Sequence, residues 1–253
     1  MNTLTLYAKE ILLLLESIEQ TQKEPLARAG RLIADAIAQN RRVHVLGTGA
    51  HSMMAAEEVL WRAGGLAAWN PILDPGTNLV HGAKRSISFE RLPGYAVAVL
   101  DANNVGSDLG EIMVLVNAYG IDPMCVGAAL ECHKRGVKVI AITSTAYGQN
   151  VPADSPLRHV SGQNLYEVAD VFLDSHVPLG DAVIPVDGVE QKIGSASTIC
   201  NCFLMNALQA EVAAQLVAQG VEPPVFMSAN LPGGDEANRR WEEKYGSLSR
   251  YML

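Results

Sequence analysis

Five short runs are apolar at most positions: RVHVLG (42–47), LAAWNPIL (66–73), EIMVLVN (111–117), VKVIAIT (137–143) and VADVFLD (168–174). Continuous rather than alternating apolarity marks strands buried on both faces, which is the signature of a parallel sheet. Helical periodicity fills the gaps, over 4–20, 25–39, 52–63, 122–135 and 194–219. Pro25 suits a first helical turn, and Gly64, Gly136 and Gly220 stand where helices stop. The alternation predicts an α/β fold: a three-layer, open, parallel five-stranded sheet flanked by helices and preceded by N-terminal helices. Residues 74–86 read as a polar loop, and 93–104 fits strand or helix equally well. No composition break divides the chain, so 1–253 is expected to be one domain. Residues 1–40 would form its N-terminal helices, 41–220 its core, and 221–253 a polar tail containing Gly233-Gly234.

Charge and cysteine usage narrow the function classes. Lys and Arg number 19 against 27 Asp and Glu, a formal net charge of −8. Without a basic patch, no nucleic-acid partner is expected. No run of about 18 apolar residues exists, so no membrane span is expected. The opening MNTLTLYAKEILLLLESIEQ is punctuated by Glu10, Glu16 and Glu19 and reads as an amphipathic helix, not a signal peptide. Cys125, Cys132, Cys200 and Cys202 form no C-x-x-C pair, which points to reduced thiols, a cytoplasmic location and no metal site.

Sheets of this kind bind ligands beyond the carboxyl ends of their strands. After the first strand stands Gly47-Thr48-Gly49-Ala50-His51-Ser52. Its glycines let backbone approach an anion, and the next helix aims free N–H groups at it. A dinucleotide fingerprint would need glycine where Ser52 stands and an acid nearer than Asp74, so no nucleotide cofactor is expected.

Six segments carry a wider likeness: GTGAHSMMAAEEVLWRAGG (47–65), GVKVIAITS (136–144), SGQNLYEVADVFLD (161–174), GDAVIP (180–185), KIGSASTICNCFLMNALQAEV (192–212) and EPPVFMSANLPGGDEANRR (222–240). With them the chain resembles the sugar isomerase (SIS) domain family, in a poorly characterised bacterial branch. The resemblance implies a five-stranded parallel sheet, a homodimer or homotetramer with shared sites, and an anionic sugar as ligand. Isomerases, sugar-ether lyases and non-catalytic sugar sensors all occur in that family.

On that resemblance, Gly47, Gly49, His51 and Ser52 form the first substrate-binding turn. The family's second anion loop is of Ser-x-Ser-Gly type, whereas this chain has Asn117-Ala118-Tyr119-Gly120. Asn117, Tyr119 and Gly120 are expected to contact ligand, yet two small hydroxyl donors have been lost. Each such bond to a charged group contributes about 1.5–3 kcal/mol. That loss, with Asp122 close by, weakens the phosphate reading without removing the anion reading: the leading expectation is an aldose–ketose isomerase acting on a sugar phosphate or, given the altered loop, a sulfosugar, with a non-phosphorylated sugar as another candidate. Ser195, Ser197 and Thr198 carry over as the third hydroxyl cluster, with Lys192 before them.

Aldose–ketose isomerisation through an ene-diol needs a base at carbon and an acid/base at oxygen, and no metal or cofactor. His81 and His176 follow the second and fifth strands, and Glu57 lies early in the helix after the glycine turn; these three are the expected catalytic groups. Neighbouring Glu58 is explained by an i,i+4 pair with Arg62. An ether lyase would require a second carboxylate at the pocket, and the sequence reveals none.

Overall fold

The computed structural model describes residues 2–249 and 251. Helices α1 (Thr3–Thr21) and α2 (Lys23–Ala38) lead into β1 (Val43–Gly47), α3 (Met53–Glu58) and β2 (Trp69–Ile72). Next come α4 (Ala83–Glu90), α5 (Tyr95–Ala102), β3 (Ile112–Val116), α6 (Pro123–Lys134), β4 (Lys138–Thr143) and α7 (Thr145–Asn150). The chain ends through α8 (Leu165–Val168), β5 (Val171–Asp174), β6 (Ala182–Ile184), β7 (Ile193–Ser195), α9 (Ser197–Ala218) and α10 (Gly234–Tyr245).

The main sheet has five strands in the order β2-β1-β3-β4-β5, all parallel. Alternate residues of each strand face opposite sides. Val43, Val45, Val114, Val116, Ile140 and Ile142 join one core with α1, α2, α3 and α9. Leu46, Met113, Leu115, Val139 and Ala141 join the other with α5 and α6. Both faces are therefore buried, as the unbroken apolar runs predict. Chain order reverses between β1 and β3, which makes the space beyond their carboxyl ends the switch point where such sheets hold ligands.

Four boundaries differ from the sequence-based expectation. The helix expected over 52–63 stops at Glu58, because the chain is pulled aside by the C-terminal segment: Gly64 N–H donates to the Phe226 carbonyl, and Leu66 bridges Val225. Trp61 then adopts φ +52, left-handed backbone that a bulky residue rarely takes. The loop expected over 74–86 carries a 3₁₀ turn, Leu79–His81, and the start of α4. The long helix begins at Ser197 rather than 194, since Ile193–Ser195 pairs antiparallel with β6. The supposed polar tail contains α10, whose Trp241 and Tyr245 are buried.

Gln209 of α9 fixes the entry to β2. Its buried Oε1 accepts from Leu66 N–H at 3.2 Å and from the Trp69 indole N–H at 2.9 Å. A buried donor left without an acceptor costs about 1–3 kcal/mol. Gln209→Leu should therefore lower the unfolding free energy by about that amount for each of the two orphaned donors, measured by urea denaturation. No change would mean that the two N–H groups are satisfied elsewhere.

Candidate functional site

The turn after β1 closes because Gly47 has no side chain. A Cβ there would run into the Met53 backbone and the Ser52 carbonyl. Thr48 N–H donates to the Val116 carbonyl at 3.0 Å, and Met53 N–H to the Gly49 carbonyl at 2.9 Å. The turn is thereby held against the end of β3.

Buried Asn117 organises the loop opposite. Its Oδ1 accepts from Tyr119 N–H at 2.9 Å and Gly120 N–H at 2.8 Å. Its Nδ2 donates to Thr48 Oγ1 at 3.1 Å and Asp122 Oδ2 at 2.8 Å. Ser52 Oγ accepts from Ala118 N–H at 3.2 Å. Asp122 caps α6 by accepting from Cys125 N–H at 2.9 Å.

Between these loops lies a cavity of about 410 Å³. Glu90, the last residue of α4, reaches over Gly49, where a Cβ would sit 3.1 Å from its carboxylate. Its carboxylate also accepts from Ala50 N–H. Asp181 enters from the far side in left-handed backbone, φ +65. It accepts from Ala196 N–H at 2.9 Å, Ser197 N–H at 2.7 Å and Ser197 Oγ at 2.8 Å, and so caps α9. The rings of Tyr119 and Tyr147 pack with centroids 4.1 Å apart and planes tilted by 35°, forming an aromatic wall.

The electrostatics are unusual for an anion pocket. Burial, reinforced by the Asp122 charge, pushes Glu90 up to about 8 against the opposing pull of Arg91 and the Ala50 amide. Burial likewise raises Asp122 to about 6, opposed by its bonds from Cys125 and Asn117. Burial, then Tyr147, Asp181 and Glu90, raises the Tyr119 phenol, so it acts as a hydrogen-bond donor and not as a base.

Of the residues expected from sequence, Gly49, His51, Ser52, Asn117, Tyr119 and Ser197 line the cavity. The others stand outside its lining. Gly47 is packed beneath α3, and Gly120 (φ +66) is pressed on Thr143 Oγ1. Ser195 lies in β7, where its carbonyl accepts from the Tyr7 hydroxyl at 2.6 Å, and Thr198 Oγ1 faces Met54 Sδ at 3.9 Å. Lys192 is exposed ahead of β7. The catalytic candidates are also elsewhere. Exposed Glu57 accepts from Asn78 Nδ2 at 2.7 Å. His81 is exposed at the end of the 3₁₀ turn, although its neighbours Leu79 and Ala83 reach the cavity. His176, at φ +51, meets Thr21 Oγ1 at 2.7 Å through Nε2, with Nδ1 3.7 Å from Asp174 Oδ2. His176 thus ties the end of β5 to α1.

Among the polar cavity residues, Glu90, Arg91, Tyr147 and Asp181 are ones that sequence reasoning missed. Asp181 had a signal, because Gly180-Asp181 precedes a hydroxyl-rich helix start. Glu90 had none, since only the packing of α4 across the glycine turn makes it a site residue. Among the described residues, no group of three or more His, Cys, Asp or Glu is placed to hold a metal ion. No helix among them is long and apolar enough to cross a membrane. All four cysteines are free.

Residues 6–144, more than half of the chain, match the SIS domain. The chain belongs to the SIS domain family. Over 252 residues this SIS protein is 37% identical to a UPF0309 protein of Caldanaerobacter subterraneus, covering 98% of this chain and 100% of that one. It is also 37% identical over 240 residues to a UPF0309 protein of Streptomyces avermitilis, covering 94% and 93%. Those names state no activity. Among solved structures, a phosphoheptose isomerase of Neisseria gonorrhoeae superposes with TM-score 0.55 at 15% identity, over 83% of this chain and 97% of that one. One from Francisella tularensis gives 0.52 at 16% identity, over 85% and 100%. At such identity the likeness is one of fold.

The raised carboxylate of Glu90 links the site to stability. Between its ordinary range and about 8 the folded protein binds more protons than the unfolded chain, so this group's contribution falls as pH rises through that window. Glu90→Gln removes the titration. Its melting temperature relative to the parent should therefore climb from pH 5 to pH 8.5, which a thermal-melt series would read. A pH-independent difference would place Glu90 in ordinary solvent.

Proposed function

We propose that this SIS protein is an aldose–ketose isomerase acting on a ring-opened sugar in the 410 Å³ cavity. The observation that carries the reading is Glu90: a half-buried carboxylate at the switch point, poised to exchange a proton near neutrality. In the reaction, the Glu90 carboxylate takes the proton from C2 while the C–H electron pair forms the C1–C2 double bond. O1 gains a proton, giving the ene-diol. The same carboxyl returns its proton to C1 as O2 loses its own and becomes the ketone. The Tyr119 hydroxyl, beside Tyr147 on the cavity wall, donates to the oxygen on which charge develops. His51, at the rim, serves proton movement between the oxygens.

The presence of three carboxylates favours one second reading, a sugar-ether lyase, because Glu90, Asp122 and Asp181 supply the additional acid the sequence does not reveal. Product analysis separates the two: a lyase releases the ether substituent as a separate alcohol, and an isomerase conserves the carbon skeleton. A sensor would bind sugar without exchanging its C–H hydrogens.

The test is hydrogen exchange at C2 in deuterated water, followed by NMR across a panel of aldoses and ketoses. Glu90→Gln should cut the rate by about 10²–10⁴-fold. It should also abolish a rise of kcat/KM with pH through about 8, where the parent's base becomes ionised. His81→Ala and Glu57→Ala should stay within a few-fold of the parent. Retention of full activity in Glu90→Gln would sink the assignment.

A homo-oligomer belongs to the same reading. Leu12 and Leu13 on α1, and Ile199 and Phe203 on α9, are exposed apolar residues of the kind a second copy would cover. Light scattering should give a multiple of the 27.1 kDa chain mass; a monomer at micromolar concentration would contradict it.

A further inference from the structure

At three places around the cavity where backbone N–H groups could seat an anion, a carboxyl group of the chain itself is already bonded. Glu90 occupies the glycine turn, against Gly49 and the Ala50 amide. Asp122 occupies the N-terminus of α6, and Asp181 the N-terminus of α9. The loop after β3 is equally self-contained. Ala118 N–H is given to Ser52 Oγ, and the Tyr119 and Gly120 N–H groups are given to Asn117 Oδ1. The Ser197 hydroxyl donates to Asp181 as well. The basic side chains lining the cavity are Arg91, beside Glu90, and His51.

A phosphate dianion in this space would face three carboxyl groups, and the amides of the second loop and of the start of α9 that could serve it are already bonded to Asn117 and Asp181. Carboxylates repel a like charge in a partly desolvated site, and Glu90, raised to about 8, adds its charge only as pH rises through that value. An uncharged polyol meets the opposite situation. Carboxylates are acceptors only and take hydrogen bonds from sugar hydroxyls without any charge conflict. The packed Tyr119 and Tyr147 rings offer an apolar face for the C–H side of a sugar. Resting on the reading of this cavity as the sugar site, we propose that its substrate is a sugar carrying no anionic group. The second loop of this chain has become an internally bonded wall in place of a phosphate cradle.

The experiment compares a matched series of hexoses, each as free sugar, 2-amino sugar, 6-phosphate and 6-sulfonate, by calorimetry and thermal shift on the full chain. Free or amino sugars should bind at least about tenfold more tightly than the phosphate or sulfonate of the same sugar. An equal or tighter phosphate or sulfonate overturns the proposal. Two variants probe the cause. Glu90→Gln, compared with the parent at pH 9 where Glu90 is ionised, keeps the side-chain shape without the charge. Asp181→Asn keeps an acceptor at the helix cap, and asparagine tolerates the left-handed backbone there. Each should narrow the preference against phosphate; an unchanged preference in both would overturn the charge argument.

Deuterium exchange on whichever sugar binds separates this proposal from the isomerase reading. A phosphate ester that binds best and exchanges its C2 hydrogen defeats the charge argument and keeps the isomerase. A free sugar that binds best without exchange does the reverse. If no member of the series binds, both are wrong.

Discussion

Asn117 uses its whole hydrogen-bonding capacity inside the protein. An asparagine amide has two donors and an oxygen with two lone pairs. Here the donors reach Thr48 Oγ1 and Asp122, and the oxygen holds the Tyr119 and Gly120 amides. One side chain therefore joins the turn after β1, the loop after β3 and the cap of α6. Those three elements meet where strand order reverses, so the cavity walls are fixed by a single buried amide. Because every bond is made away from bulk water, losing any of them would leave an unpaired polar group. The position is consequently structural first, and it withholds from any ligand the backbone donors that an open loop would present.

Much of the architecture was legible before any coordinates, because it rests on local pattern. RVHVLG and VKVIAIT are too uniformly apolar to be half-exposed strands, and the structure buries both faces of each. The family likeness lay in long segments such as KIGSASTICNCFLMNALQAEV, and the SIS match together with relatives at 37% identity bears it out. Boundaries were less legible wherever a distant segment decides them. No pattern within 52–63 signals that Phe226 will take the Gly64 amide and end the helix early. Nor does 221–253 advertise that Trp241 and Tyr245 are buried, since a helix with so many charges reads as a tail.

The site divides along the same line. Residues on the two turns next to β1 and β3, such as Gly49, Ser52, Asn117 and Tyr119, could be placed from strand ends alone. The sequence points to His81 and His176 because they follow strands at the ligand edge, and to Glu57 because it lies early in the helix after the glycine turn. Proximity in sequence does not fix direction, however, and the 3₁₀ turn, the Asn78 bond and the Thr21 bond lead all three away from the cavity lining. Glu90 shows the converse. It is remote from every strand end, and α4 alone carries it across the glycine turn.

Collecting Glu90, Asp122 and Asp181 around one cavity works against stability, since burial and mutual repulsion both disfavour charge there. The fold meets part of that cost by giving Asp122 and Asp181 helix N-termini, where backbone N–H groups and the helix dipole favour a negative charge. Glu90 has only the Ala50 amide and the nearby Arg91, and its carboxyl is the one raised furthest. The least compensated acid is thus raised to just above neutrality, while Asp122 stays just below it. A carboxylate kept for structure alone would gain from a cap like its two neighbours have. Its position over the glycine turn, uncapped and facing the cavity, is what a proton-transferring group requires.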